Sequence, residues 1–351
     1  MKWRGDRIEF QVYGTSHAPS VGVNATGFPV IPIDREGLSR FMDRRRAKQE
    51  AYSTKRFEPD IPEITFDEKG FRAEIKNTNV RSGDYNELYA IPRPSHADYA
   101  AYLSDGRLDF SGGGEFSGRL TAPLTVLGYL AKSFLAARGI TVSAWVSEIG
   151  SVKGASYRGG LRAEMLSCGE KGEWTPAFKE EMTREIERAA AEKDSVGGCI
   201  ECAVLGLKGG VGGGRFGSLE GKISSLLYLI PAVKGVSFGA GFALAEMRGS
   251  EANDPLRFGE DGRILFLKND AGGINGGISN GNALTLAAAF RPTPSIGKKQ
   301  LSVHLEKREN VEIEIKGRHD ACIVPRALPV VESAVAIALS DAILEEEYER
   351  A

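Results

Sequence analysis

The chain has 351 residues, of which 42% are hydrophobic and 26% charged, and its formal net charge at pH 7 is -2. With 45 Lys and Arg against 47 Asp and Glu, it has no excess of positive charge with which to bind a polyanion by counterion release. The composition therefore argues against a nucleic-acid-binding protein and favours a small anionic partner. The length allows one large domain or two ordinary ones.

The apolar pattern bears on the cellular compartment, and the cysteine spacing bears on metal binding. We find no apolar run that approaches the roughly 18 residues needed to span a bilayer, and segment 1–6 lacks the apolar core of a signal peptide. We therefore expect a soluble, cytoplasmic protein. Cys199 and Cys202 have C-x-x-C spacing, but their apolar run predicts a buried strand, on which residues three apart face opposite ways. No second cysteine pair completes a zinc site, so we expect no bound metal.

The first part of the chain predicts a helix, a hairpin and a longer helix. Asp34 can cap a helix in which Leu38, Phe41 and Met42 have helical spacing. Segments 64–66 and 71–75 predict a hairpin. Ser117 is a natural N-cap for a core helix over 118–138 that ends at Gly139.

The remaining elements alternate without segregating, which predicts one large α+β domain over 1–351. We predict strands at 142–149, 199–207 and 311–315, an extended segment at 236–247, and helices at 176–193, 219–229, 283–290 and 327–347. The glycine-rich stretches 111–114 and 271–281 each lead into a predicted apolar helix.

Segment 212–217 matches G-x-G-x-x-G between a predicted strand and a predicted helix, which is the context of a dinucleotide-binding loop. The alternative is a flexible glycine loop. No regular βαβ repeat surrounds the motif, and no acidic residue ends a following strand about twenty residues later. We therefore favour the loop over a nucleotide-dependent oxidoreductase.

Two of the four histidines, His17 and His96, lie in loops rich in glycine, proline and serine. Such a histidine titrates near neutral pH and can move a proton, whereas His304 lies in a strand-like run and is interpreted as a packed side chain. Between the two loop histidines lie Arg44, Arg45 and Arg46 in one run. One glycine loop precedes the helix at Ser117, and another covers 271–281. Such loops are equally typical of turns and of anion sites. Proton carriers beside fixed cations predict an anionic substrate.

These segments together resemble the chorismate synthase family over nearly the whole chain. The matches are 14–18 to G-E-S-H-G, 44–59 to the triple arginine and Y-T-x-x-R-x-E-P, 77–85 to N-T-D-x-R-S-x-D-Y, 93–98 to R-P-G-H-A-D, 232–236 to A-V-K-G-V, 271–279 to A-G-G-I-x-G-G-I-S, and 317–327 to G-R-H-D-x-C-x-x-x-R-A.

The resemblance implies a carbon-oxygen lyase of the shikimate pathway to aromatic amino acids. The implied reaction is a 1,4-anti elimination of phosphate from 5-enolpyruvylshikimate-3-phosphate, which gives chorismate and requires reduced FMN (FMNH2) without net redox change. The implied fold is a single-domain β-α-β sandwich with long helices between antiparallel sheets, assembled as a homotetramer. Nothing in this length suggests an appended reductase, so we expect an external source of reduced flavin.

The resemblance also implies roles for individual residues. His17 is the proton donor to the leaving phosphate, His96 stabilises the reduced flavin, and Asp320 lies near the flavin nitrogen that receives the substrate proton, while His319 stays unassigned. The implied substrate contacts are Ser16, Arg45, Arg46, Arg56, Arg93, Arg119 and Arg318. The implied flavin contacts are Phe116, Ser117, Gly118, Ala232, Gly276, Arg291, Thr293, Ser295 and Arg318.

The sequence departs from the family pattern at several of these motifs. Thr15, Ala18 and Ser95 replace a glutamate and two glycines, and the family's R-S-S-A-R-E-T segment here begins with Glu115, Phe116 and Ser117. A cation has become an anion at Glu115, which raises the alternative of a catalytically weakened relative that only binds flavin or a phosphorylated metabolite. We expect Glu115 to turn away from the site, with neighbouring arginines neutralising it, because an unpaired carboxylate among anions would be costly. The alternative is that it points inward, repels the anions and raises the substrate dissociation constant.

Overall fold

A computed structural model describes residues 1–16, 18–46, 58–78, 88–108, 113–213, 217–315 and 320–350. Among the predicted site residues, His17, Arg56 and Arg318 lie outside the described residues, as do His319 and the central part of the 212–217 motif.

The N-terminal part of the chain forms an antiparallel five-stranded sheet in the order β1-β2-β3-β5-β4. Alternating side chains of β2 and β3, such as Phe10 and Val23, are buried on one face. The predicted hairpin is confirmed as β4 and β5, whose register pairs Phe66 with Phe71. The strands are β1 (Lys2–Arg4), β2 (Glu9–Gly14), β3 (Ser20–Thr26), β4 (Pro62–Asp67) and β5 (Gly70–Lys76).

A second five-stranded sheet, also antiparallel, has the order β7-β6-β8-β14-β9. Three short hairpins complete the strands of the described ranges. The strands of the second sheet are β6 (Thr141–Ile149), β7 (Val152–Lys153), β8 (Gly198–Leu205), β9 (Val233–Phe238) and β14 (Leu284–Phe290). The hairpins are β10 (Leu256–Phe258) with β11 (Ile264–Phe266), β12 (Ile274–Asn275) with β13 (Ile278–Ser279), and β15 (Gln300–His304) with β16 (Glu309–Ile313).

The long helices lie between the two sheets, as the resemblance implies. Helix α3 contacts β3 and β5, α8 contacts β6 and β8, and the two helices pack against each other. Their approach is close at Gly128, where an added Cβ would lie 2.0 Å from Ser333. The helices are α1 (Arg35–Asp43), α2 (Asp98–Asp105), α3 (Thr121–Ala136), α4 (Ala163–Ser167), α5 (Lys179–Ala191), α6 (Leu219–Leu227), α7 (Gly249–Ala252) and α8 (Val324–Glu349).

One buried apolar cluster extends from Ile8 in the first sheet to Ile343 in α8. The α+β fold is confirmed, and this shared core supports the single domain over 1–351, which stays a prediction. The Asp34 cap is confirmed, because its side chain accepts a hydrogen bond from the Glu36 amide. Ser117 caps a 3-10 turn over Gly118–Leu120, where its side chain accepts from the Arg119 amide, and helix α3 begins only at Thr121.

Helix α8 corrects our expectation about apolar runs. An 18-residue window within Val324–Glu349 is long and apolar enough to cross a membrane, and 94% of that window is buried inside the protein. Glu332 and Asp341 interrupt the apolar sequence, so the run is not evident by eye. Both are buried, and Glu332 is paired with Arg44 and Lys132. The helix is therefore the central core helix of this fold.

Two predicted elements are wrong. Segment 283–290 forms a strand, β14, and lies between β8 and β9. Its apolar, alanine-rich run fits a fully buried central strand as well as a helix, so periodicity does not decide between them. Segment 236–247 begins as β9 but continues as a 3-10 helix over Gly241–Glu246. The dinucleotide-binding alternative at 212–217 is also excluded, because the strand before it, β8, pairs antiparallel with both neighbours.

Candidate active site

A cavity of about 710 Å³ brings together most of the described residues that the sequence predicted for the site. This volume lies within the usual range of ligand pockets. Segments at 93–97, 113–119, 228–234 and 291–295 contribute to the lining, as does the start of α8. The predicted site residues in this lining are Arg45, Arg46, Arg93, His96, Phe116, Ser117, Gly118, Arg119, Ala232, Arg291, Thr293, Ser295 and Asp320.

A buried carboxylate holds two of the predicted substrate arginines. Asp60, which is 2% exposed, accepts a hydrogen bond from Nη1 of Arg45 at 2.9 Å and another from Nη1 of Arg119. Burial lowers the pKa of the Arg45 guanidinium to about 10, against the opposing effect of Asp60, and Arg45 remains charged near neutral pH. We call Arg45, Asp60 and Arg119 the cavity cluster. It contains two cations and one anion, so its local charge is positive.

Two guanidinium donors at the cavity are candidates to bind an anion. Nη2 of Arg119 and Nε of Arg46 are buried and make no hydrogen bond within the described part of the chain. Both arginines line the cavity, although Asp43 forms an ion pair with Nη1 of Arg46. A buried donor without a partner is costly. An anion in the cavity would satisfy both donors with charge-assisted hydrogen bonds.

Asn77 connects the cavity cluster to the loop that carries the first histidine. Its Oδ1 accepts a hydrogen bond from Nε of Arg119 at 2.8 Å, while its Nδ2 donates to the carbonyls of Thr15 and Ala18 at 3.2 and 2.6 Å. The described residues on both sides of position 17 are thus fastened beside Arg119. Ser16 is buried in this loop but does not line the cavity.

A carboxylate at the start of α2 holds His96. Nδ1 of His96 lies 2.5 Å from Oδ1 of Asp98. Asp98 also accepts hydrogen bonds from Arg93, at 2.7 Å from Nε and 2.8 Å from Nη2. Burial would raise the pKa of Asp98, but the hydrogen bonds from Arg93 and His96 lower it to about 2. Asp98 is therefore ionised near neutral pH, and it fixes both a predicted proton carrier and a predicted substrate arginine.

Asp320 is fixed by a neighbour that the sequence analysis did not single out. Nη1 of Arg326 donates to both carboxylate oxygens of Asp320, at 2.9 and 2.8 Å, and Nε of Arg326 donates to the Arg45 carbonyl at 3.1 Å. Thr293 donates its hydroxyl to the Asp320 carbonyl at 2.9 Å. The start of α8, the end of α1 and segment 291–295 are thereby joined at the cavity. Arg326 is the last arginine of the 317–327 motif, and that position was its only signal.

Arg291 connects Ala232, a predicted flavin contact, to the loop that carries His96. Its backbone amide donates to the Ala232 carbonyl at 2.9 Å, and its Nη1 donates to the Ser95 carbonyl at 2.6 Å. Asp60, Ser95 and Ala232 all have positive φ, at 46°, 59° and 76°. Non-glycine residues in this region carry a conformational cost and concentrate at functional sites.

Gly276 lies apart from the other predicted flavin contacts. It occupies the turn between β12 and β13 with φ of 61°, outside the lining of the cavity. Its predicted cofactor role therefore has no local support among the described residues, and it stays a prediction.

Glu115 lines the cavity, but it is 57% exposed as a side chain and pairs with Arg107. The Arg107 to Glu115 distance is 3.2 Å, and Arg107 also binds Asp105 at 2.8 Å. An arginine thus pairs with this carboxylate as expected, although Glu115 lines the cavity and does not turn away from it.

The residues set aside by the sequence analysis lie elsewhere. His304 is on β15, paired opposite Glu309. Cys202 is buried in the main core, whereas Cys199 is part-buried and belongs to no described core cluster. The predicted strand through both cysteines is confirmed as β8.

Several residues at and around the cavity were not predicted from the sequence. The carboxylates Asp60 and Asp98 position the arginines and His96, and Lys234 adds a further cation to the lining. Asp98 and Lys234 lay inside recognised motifs, but Asp60 had no signal beyond following the 44–59 segment. The cavity as a whole can bind anions, fix them with buried guanidinium groups and offer them a histidine and a carboxylate.

Comparison with known proteins gives a consistent result. The family model described as chorismate synthase matches residues 8–344. A curated chorismate synthase of Thermococcus kodakarensis is 42% identical over 353 residues, which cover 97% of each chain. One of Methanocaldococcus jannaschii is 39% identical, covering 98% of this chain and 96% of the relative. A solved structure titled "Crystal Structure of Chorismate Synthase" superposes with a TM-score of 0.74 at 24% identity, covering 98% of this chain and 93% of that one.

Proposed function

The chain belongs to the chorismate synthase family, and from this premise we propose that it eliminates phosphate from 5-enolpyruvylshikimate-3-phosphate to give chorismate, in the shikimate pathway to aromatic amino acids. The observation that carries the proposal is a pair of buried arginine donors at the cavity, Arg119 Nη2 and Arg46 Nε, that have no hydrogen-bond partner among the described residues. A substrate with two carboxylates and a phosphate supplies the anions that these donors lack.

The substrate anions would be held by the cavity cluster and the arginines around it. Arg45 and Arg119 present fixed positive charge, because Asp60 fixes their orientation without neutralising both. Arg46 and Arg93 line the same cavity. Ser16, Arg56 and Arg318 are assigned to the substrate by their motifs alone. Guanidinium groups suit this task because they pair with carboxylate and phosphate in bidentate geometry.

The described residues fit a bound flavin mononucleotide. The cavity volume of about 710 Å³ exceeds what a single small anion requires, and its cation excess accommodates a further phosphate. The lining contributes Phe116, Ser117, Gly118, Ala232, Arg291, Thr293 and Ser295, while Gly276 and Arg318 are assigned by motif. When bound, reduced FMN would supply the electronic assistance for an elimination that has no net redox change.

The reaction breaks the C–O bond to phosphate and a C–H bond, and it forms a new C=C bond. His17 protonates the departing phosphate. His96 lies within the cavity lining with its Nδ1 bound to Asp98, so a proton taken up on Nε2 would let the ring stabilise an anionic reduced flavin. Asp320 stands near the site where the substrate proton is received, and Arg326 holds its carboxylate in place. The protein otherwise orders the reactants and excludes water.

We further propose a homotetramer in the cytoplasm that receives reduced flavin from an external source. Exposed apolar side chains on the β10–β11 hairpin and nearby support burial against another copy of the chain. Phe258 is 76% and Leu256 58% exposed, and Phe242 is 84% exposed. Light scattering of the full chain and of Phe258→Asp checks the assembly, with a smaller mass expected for the variant.

The deciding experiment is an anaerobic phosphate-release assay on the purified chain, with and without dithionite-reduced FMN. We expect release only with the reduced flavin. Binding of both ligands without release would favour the alternative of a weakened relative that only binds flavin or a phosphorylated metabolite. The pairing of Glu115 with Arg107 weakens the ground for that alternative.

A further inference from the structure

We propose that Asp98 is a positioning residue that holds the His96 ring in the tautomer with the proton on Nδ1, so that Nε2 is the nitrogen available to the cavity. The proposal rests on the proposed function only in giving His96 a role at the flavin. The placement itself rests on the contacts of segment 93–98.

The short contact between Nδ1 of His96 and Oδ1 of Asp98 determines the proton position. An ionised carboxylate can only accept a hydrogen bond. At 2.5 Å, an unprotonated Nδ1 would set two lone pairs against each other, so Nδ1 carries the proton. Nη2 of Arg93 also lies 3.2 Å from Nδ1, but a protonated Nδ1 cannot accept from it. The Arg93 donor is instead directed to Asp98, at 2.8 Å.

Asp98 can perform this role because Arg93 keeps it ionised and fixed. The Arg93 backbone amide donates to Oδ2 at 2.9 Å, Nε donates to the same oxygen at 2.7 Å, and Nη2 donates to Oδ1. Oδ2 therefore receives two donors from Arg93, and Oδ1 receives one from Arg93 and one from His96. The Asp98 side chain is 5% exposed, so water does not compete freely for these oxygens.

The loop around His96 is also fixed from outside. Arg291 donates to the Ser95 carbonyl at 2.6 Å, and the Ser302 hydroxyl donates to the Pro92 carbonyl at 2.5 Å. Ser95 is held at φ of 59° between these contacts. The backbone of the loop is thus anchored independently of Asp98. A substitution of Asp98 should disturb the ring more than the chain path.

If Asp98 sets the tautomer of the His96 ring, the isosteric change Asp98→Asn should reverse it. The amide oxygen of asparagine is best placed at the Oδ2 position, where it accepts two hydrogen bonds from Arg93. Its NH2 group then lies at the Oδ1 position and faces Nδ1 of His96. Nδ1 must become the acceptor, and the ring proton moves to Nε2.

The first test uses solid-state ¹⁵N NMR of the full, flavin-free chain with labelled histidine. Only four histidines are present, and His96→Gln identifies the signal. We expect neutral His96 to carry its proton on Nδ1 in the wild type and on Nε2 in Asp98→Asn. The control is Asp341→Asn, a buried carboxylate remote from His96, which should leave the wild-type tautomer. A wild-type ring with its proton on Nε2, or an unchanged ring in Asp98→Asn, would overturn the proposal.

The second test is a double-mutant cycle on turnover in the loaded enzyme. We expect Asp98→Asn to lower kcat by about 10²–10⁴-fold, the usual contribution of a positioned acid or base, because a ring whose Nδ1 accepts a hydrogen bond cannot also carry a proton there. We expect KM to change less than about threefold. Adding Asp98→Asn to His96→Ala should then cost less than about threefold more. Additive losses, or a loss confined to KM, would show that Asp98 acts through Arg93 and not through His96. If the NMR result holds while His96→Ala keeps normal turnover, the role proposed for His96 fails and the tautomer assignment stands.

Discussion

Two ion-pair clusters in this molecule combine cations and carboxylates in opposite proportions. The cavity cluster has two arginines and one carboxylate, with an arginine donor left over. A second cluster, which we call the anchor cluster, consists of Asp6, Lys222 and Asp341. It has one cation and two carboxylates, and Asp341 also accepts hydrogen bonds from the backbone amides of residues 6–8.

The difference indicates that the cavity cluster serves ligand binding and that the anchor cluster stabilises the fold. In the anchor cluster every partner of Asp341 is supplied by the fold, because α8, α6 and the segment between β1 and β2 meet there. In the cavity cluster the positive charge is not fully compensated until an anion binds. Substitutions at the cavity should therefore change ligand chemistry with little loss of stability, and substitutions at the anchor cluster should do the reverse.

The largest expected effect lies at the cavity histidine. We expect His96→Ala to lower turnover by about 10²–10⁴-fold, the usual contribution of a positioned acid or base, with the unfolding midpoint nearly unchanged. His304→Ala is the matched control, because His304 lies on the β15–β16 hairpin outside the cavity lining. Steady-state kinetics and thermal unfolding of both variants check this. Equal activities would remove His96 from the mechanism.

The next largest effect is on substrate affinity, which should distinguish the cavity cluster from the anchor cluster. Arg119→Ala should weaken substrate binding by about 10²–10³-fold, because it removes a charge-assisted partner from a desolvated anion. Asp60 would keep Arg45 as its counterion, so the fold should survive. Lys222→Ala in the anchor cluster should bind normally. Isothermal titration calorimetry of both variants decides, and similar affinities for both would contradict the distinction.

The anchor cluster should show its effect in stability and in its dependence on pH. Asp341→Asn should lower the free energy of unfolding at pH 7 by about 3 kcal/mol, the cost of breaking a buried pair. Burial raises the pKa of Asp341, but Lys222 and the backbone amides outweigh burial and lower it below its usual 3.8. Its contribution is therefore fully present above about pH 4 and is lost as the pH falls through the lowered value. Urea unfolding at several pH values should show the two proteins converging in acid. A difference that stays constant would contradict this account.

The smallest effect belongs to Glu115. Because Arg107 already pairs with this exposed carboxylate, Glu115→Arg should change flavin and substrate affinity by less than about tenfold, or 1.4 kcal/mol. Anaerobic titration measures both affinities. A much larger tightening would mean that the carboxylate acts on the bound anions.

The sequence predicted the layers of this fold better than the contacts within its site. Helix α3, helix α8 and the β4–β5 hairpin follow from local patterns, because apolar periodicity and caps are local properties. The helix predicted over 283–290 was wrong. This segment forms the central strand β14, and burial on both faces removes the alternation that identifies a strand. Domain organisation and the residue roles stay predictions.

Asp60 and Arg326 illustrate why the site was harder to predict. Asp60 meets Arg119 across 59 residues of sequence, and Arg326 meets the Arg45 carbonyl across 281. No spacing rule reports such pairs, since tertiary folding alone brings them together. Motif resemblance identified several of the arginines that gather at the cavity, but neither Arg326 nor the carboxylates that orient these arginines.

The acidic residues of α8 also bear on the unfolded state of this protein. In the unfolded chain, the segment that becomes α8 is long and apolar enough by composition to partition into lipid. A charged side chain within such a segment opposes insertion, by about 2.5–3.5 kcal/mol for an aspartate at its centre. Glu332 and Asp341 therefore oppose insertion of the unfolded chain into a membrane. In the folded protein the same two carboxylates bind Arg44, Lys132 and Lys222, so the groups that oppose insertion also attach α8 to its neighbours.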